Sequence, residues 1–139
     1  MKSKCLFVGL CAVALGLSIN GAVAHEAHKK EAEKILRDEI LKNLDKLPAG
    51  QRVMLKLTIP SEANFFKPLI DHPKVMRVVA LSGGYSREDA NAMLAKNTGL
   101  IASFSRALSE GLSAQQSDAA FNAELEKTIN SIYDASVAG

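Results

Sequence analysis

Two seven-residue stretches, Val53-Met54-Leu55-Lys56-Leu57-Thr58-Ile59 and Val75-Met76-Arg77-Val78-Val79-Ala80-Leu81, are almost unbroken runs of apolar and branched side chains, bounded by Pro60, Pro73 and Gly83-Gly84. Runs of this kind are strands buried on both sides, as in parallel sheets covered by helices. Leu100-Ile101-Ala102-Ser103-Phe104 reads as a third. Helical signals lie between them. Leu36, Ile40, Leu44 and Leu47 share one face of an amphipathic helix over 31–47, which Pro48-Ala49-Gly50 ends. Ser61 caps a short helix through Ile70, and Asp71-His72-Pro73 closes it. Ser86 with Asp89 three positions on forms a capping box for a helix to about Lys96, followed by the turn Asn97-Thr98-Gly99. Helices from Arg106 to about Gly111 and from Ser117 to Tyr133 complete the chain, the latter with Phe121, Leu125, Ile129 and Ile132 on one face. A helix followed by three strand-helix units is an α/β pattern.

The first 24 residues fall outside this pattern. Lys2 and Lys4 precede an apolar stretch from Cys5 to Leu17, and Ala22-Val23-Ala24 supplies an A-x-A site before His25. This reads as a secretory signal cleaved after Ala24, leaving residues 25–139 as one domain outside the cytoplasm, secreted or periplasmic. Ser18, Asn20 and Gly21 weaken the far end of the apolar stretch as a membrane span, which needs ~20 apolar residues. Cleavage therefore leaves no stable span. It also removes both cysteines, and with them any disulfide framework or thiol nucleophile. The whole chain carries a net charge of +2, and loss of Lys2 and Lys4 brings residues 25–139 to formal neutrality. A phosphate-backbone binder needs a basic excess, so nucleic acid is excluded as a partner.

Lys56 is the most informative single position, because it interrupts an apolar strand and alternation points it the same way as Met54 and Thr58. Taking an ammonium out of water favours the neutral amine, which can attack a carbonyl and form a Schiff base. The competing structural role is a lysine whose methylenes pack while its charge reaches water. Leu81-Ser82-Gly83-Gly84-Tyr85-Ser86 is a glycine-rich turn from strand to helix, suited to holding a phosphate on backbone N–H groups, although two glycines also make a tight turn for its own sake. Arg106, just past the third strand, emerges at the same sheet edge, where a guanidinium clamps phosphate oxygens. His25, His28 and His72 are loop histidines and make a poor metal set. No metal site or Ser-His-Asp arrangement is expected.

Together, Val53-Met54-Leu55-Lys56-Leu57-Thr58, Leu81-Ser82-Gly83-Gly84-Tyr85-Ser86 and Ile101-Ala102-Ser103-Phe104-Ser105-Arg106-Ala107-Leu108 resemble the last three βα units of the bacterial class I fructose-bisphosphate aldolases. The similarity runs from about Lys30 to the C-terminus and includes Gly111-Leu112-Ser113-Ala114-Gln115-Gln116-Ser117-Asp118. The resemblance implies part of a (β/α)8 TIM barrel, with three parallel strands and flanking helices. It implies reversible cleavage of fructose 1,6-bisphosphate into dihydroxyacetone phosphate and glyceraldehyde 3-phosphate through a lysine Schiff base, with no metal or cofactor. On it, Lys56 is the catalytic lysine. Ser82 and Gly83, shaped by Gly84, resemble the phosphate-binding turn, and Ser105 and Arg106 the second half of that site. A whole barrel needs ~250 residues, so five strands and their catalytic carboxylates lie outside the matched region. Three strands would leave two open edges and an apolar inner face, which calls for an oligomer or a complementary partner. Without the carboxylates, the same residues also suit a non-catalytic exported fragment that binds a sugar phosphate or another protein.

Overall fold

The computed structural model describes residues 5–9 and 20–139, with side chains described over residues 28–139. Four strands, β1 (Cys5–Gly9), β2 (Arg52–Thr58), β3 (Val75–Leu81) and β4 (Ile101–Ala102), form one sheet in the order β1-β2-β3-β4. Every pair is parallel, and the register sets Lys56 beside Val79 and Val79 beside Ile101. The helices are α1 (Asn20–Leu44), α2 (Lys67–Ile70), α3 (Arg87–Leu94), α4 (Arg106–Ser109) and α5 (Asp118–Val137). Consecutive parallel strands with intervening helices are the α/β arrangement of a partial (β/α)8 barrel.

The three expected strands are present, and β1 adds a fourth on the outer edge of β2, from residues read as part of the leader. The rest of that leader lies largely outside the described residues. Its cleavage point after Ala24 falls inside α1, which begins well before the expected start at residue 31.

Burial corrects the picture of strands enclosed on both sides. Along β2, Val53, Leu55 and Leu57 are buried, whereas Met54, Lys56 and Thr58 are half-buried. The buried face joins one core with Leu44 of α1, Leu69 of α2, Leu94 of α3 and Ala135 of α5. Each fully buried Leu there contributes about 1.5–3 kcal/mol. Helices thus cover one face, and the other carries Lys56. Among the strands with described side chains, consecutive residues are all buried in β3, at Val78, Val79 and Ala80.

Two elements are shorter than expected. Asn64 has φ 60°, which breaks the helix expected from Ser61, and α2 is reduced to one turn at Pro68. Ser61 instead gives its backbone N–H, at 3.1 Å, and its hydroxyl, at 3.2 Å, to the buried Glu33. In β4, Ser103 N–H donates to Ala80 O at 2.7 Å, so the neighbouring Ala102 N–H points away from β3. Ser136 Oγ of α5 accepts it at 3.1 Å. β1 thus pairs with the outer edge of β2, and Ser136 takes one outward N–H at the β4 edge.

On the last helix, Phe121, Leu125 and Ile132 of the expected face are half-buried, and the departure lies at its middle. Thr128 and Ala135 face inward, while Ile129 is exposed. The cause is Arg87, whose guanidinium takes Thr128 Oγ1 as a hydrogen-bond acceptor and draws that side of α5 onto α3.

Candidate functional site

The chain places all its expected site residues at the C-terminal ends of consecutive strands, the rim on which (β/α)8 barrels carry chemistry. Lys56 projects from β2 on the face opposite the buried core, where α5 flanks it. It lines an open cleft of about 570 Å3 with Ser103 and Ser105 from the end of β4, and Ile129, Tyr133 and Ser136 from α5. Lys56 Nζ has no hydrogen bond or ion pair with the described residues. Among the described residues no carboxylate lines the cleft.

The glycine turn follows β3 directly. Tyr85 N–H donates to Ser82 O at 3.1 Å, closing a four-residue turn with φ 68° at Gly83 and 90° at Gly84. Positive φ at both central positions is the type I′ combination, which side chains resist. Space imposes a second requirement at Gly83, because a Cβ there would lie 2.7 Å from Thr58 Cγ2. Thr58 is two residues beyond Lys56 on the same face, so the lysine strand and the turn are in direct contact. At Gly84 a Cβ would lie 3.9 Å from Arg106 Nη2, which sets the guanidinium beside the turn. Arg106 and Ser105 are exposed, and the Arg106 guanidinium bonds to none of the described residues. Ser82 is buried beneath the turn.

A second arginine holds these two parts together. Arg87, at the first position of α3, donates its backbone N–H to Glu110 Oε2 at 2.8 Å and a guanidinium N–H to Glu110 O at 2.9 Å. Its other guanidinium nitrogen donates to Glu124 at 3.1 Å. The start of α3 is thereby tied to the residue after α4, so Gly84 and Arg106 cannot drift apart independently. Sequence patterns did not single out Arg87, since its partners are 23 to 41 residues away.

Lys29 of α1 was also missed. Its Nζ donates to Tyr85 Oη at 3.2 Å and to Ile59 O at 3.4 Å, just past β2. Against expectation, His25 and His28 fall within α1 rather than in a loop, and His72 lies in the turn before β3, away from this rim. His72 Nδ1 accepts from Lys74 N–H at 3.2 Å, and its Nε2 lies 3.5 Å from Asp45. No group of three or more His, Cys, Asp or Glu among the described residues is placed to hold a metal ion. No described helix is long and apolar enough to cross a membrane.

No family model matches the chain. Over 113 residues it is 58% identical to the protein named fructose-bisphosphate aldolase class 1 from Porphyromonas gingivalis. It is 55% identical over the same length to the protein of that name from Synechocystis. Each match covers 81% of this chain, and the chain spans only 38% of each relative's length. The resemblance to class 1 fructose-bisphosphate aldolases is thus extensive on this chain and partial on the relatives.

Proposed function

We propose that this chain is an aldolase-type sugar-phosphate module in which Lys56 forms a Schiff base while the glycine turn holds the phosphate. The observation that carries the reading is the meeting, at one sheet edge, of the Lys56 strand with the Ser82-Gly83-Gly84 turn through Thr58, and of that turn with Arg106. The similarity to aldolases supports it. In this reading the backbone N–H groups of the turn and the Ser105 hydroxyl donate to phosphate oxygens, and the Arg106 guanidinium adds charge-assisted bonds. The Lys56 amine attacks the carbonyl carbon of dihydroxyacetone phosphate. Carbon-nitrogen bond formation followed by loss of the oxygen as water leaves an iminium on Nζ.

Carbon-carbon cleavage also needs proton transfer at the substrate hydroxyl. Among the described residues the cleft has no carboxylate to do this, and each missing general acid-base group costs roughly 10²–10⁴ in rate. Imine formation with very slow cleavage is the activity we assign. Borohydride reduction of the full chain with dihydroxyacetone phosphate tests it: a stable adduct on the Lys56 peptide is expected, and no adduct in Lys56→Ala. An unmodified Lys56 would overturn the assignment.

The lack of a carboxylate also favours a second reading, a non-catalytic binder of sugar phosphates. It predicts phosphate-dependent stabilisation that survives Lys56→Ala and is lost in Arg106→Ala. We further propose that residues 1–24 direct export and are removed after Ala24. An N-terminal sequence beginning at His25 in the exported protein would support this, and recovery of Met1 would refute it.

A further inference from the structure

We infer that Lys29 is a positioning residue, which clamps the exit of the lysine strand to the glycine turn through Tyr85. The inference rests on the phosphate-holding role proposed for that turn. Two successive glycines do not fix their own conformation, because glycine populates positive and negative φ about equally well. Something adjacent must hold them. The Tyr85 ring is in that place: its Cδ2 and Cε2 atoms are both 3.5 Å from where a Gly83 Cβ would sit. Yet Tyr85 is 39% exposed, so packing alone holds the ring weakly.

Lys29 supplies the missing restraint. Its Nζ donates to the phenol oxygen at 3.2 Å and lies 5.3 Å from the ring centroid, so the ammonium holds the ring by its hydroxyl end. The same ammonium reaches Ile59 O at 3.4 Å, three residues beyond Lys56. Glu33, one helical turn along α1, pairs with Lys29 at 3.6 Å. Because Glu33 also accepts from Ser61 N–H at 3.1 Å, it anchors the lysine to the segment leaving β2. α1 therefore fastens the strand that carries the proposed nucleophile to the turn that carries the proposed phosphate. Neither function would require Lys29 to touch the substrate.

The test compares the full chain with Lys29→Met and Lys29→Arg by exchange of the Tyr85 amide, the hydrogen bond that closes the turn, without ligand, and by affinity for inorganic phosphate. Lys29→Met should speed that exchange and weaken phosphate binding, each by roughly three- to tenfold, the scale of one lost hydrogen bond. Lys29→Arg, which can still donate to the phenol, should restore both. Unchanged exchange in Lys29→Met, or an arginine variant as impaired as the methionine one, would overturn the inference. If the parent chain bound no phosphate, the reading of the turn would fall, and the exchange rates would still decide whether Lys29 clamps it.

Discussion

The two rims of the sheet both carry matched polar networks, and the C-terminal one adds two cations without partners among the described residues. At the N-terminal rim, polar groups are matched to one another. The buried Asn97 accepts from Asn64 N–H at 2.8 Å and donates to Met93 O at 2.8 Å, and Asn64 Oδ1 in turn accepts from Thr98 N–H at 2.8 Å. Lys74 Nζ donates to the carbonyls of Asp45 and Leu47, each at 2.9 Å. At the C-terminal rim, the Lys56 ammonium and the Arg106 guanidinium bond to none of the described residues. Matched polar groups hold a fold together, whereas groups held in position without partners are available to a ligand. The difference separates groups that maintain this domain from the two cations on which its chemistry is proposed.

Substitutions at the two rims should therefore separate binding from stability. The largest effect is expected from Arg106→Ala, which should lower affinity for inorganic phosphate about 10- to 100-fold, the range for charge-assisted hydrogen bonds. Its unfolding free energy should stay within about 0.5 kcal/mol of the parent. Titration calorimetry with a urea melt would check both, and a large loss of stability would erase the distinction. Next, Asn97→Ala strips partners from Asn64 N–H and Met93 O and should cost about 1–3 kcal/mol in a urea melt. Phosphate affinity should not change. Smallest is Gly99→Ala: with φ 80° and Ile70 Cγ2 3.0 Å from the new Cβ, it should cost about 1–2 kcal/mol and again spare binding. The same change at Gly83 should damage both properties, because its neighbour Thr58 belongs to the lysine strand.

Local chemistry was well legible in the sequence. The runs at 53–59 and 75–81 declared β2 and β3, and Ser86 Oγ does accept from Asp89 N–H at 3.1 Å. Lys56, the Gly83-Gly84 turn and Arg106 stood out by residue type and position, Ser82 and Ser105 entered through the aldolase resemblance, and all lie on one rim. What escaped depends on contacts distant along the chain. Lys29 and Tyr85 are 56 residues apart, and nothing in α1's composition marks that lysine among its neighbours. Thr128 reads as a polar interruption of α5 until Arg87 is seen to need it. The shortening of β4 has a similar origin, since Ser136 replaces the strand that would have lengthened it.

The meeting of Ser136 with Ala102 sets how this sheet can grow. β4 is two residues long, so Ala102 supplies its outward-facing N–H, and the Ser136 hydroxyl takes it. The tail of the final helix thus occupies the donor with which a further strand would begin to pair along this margin.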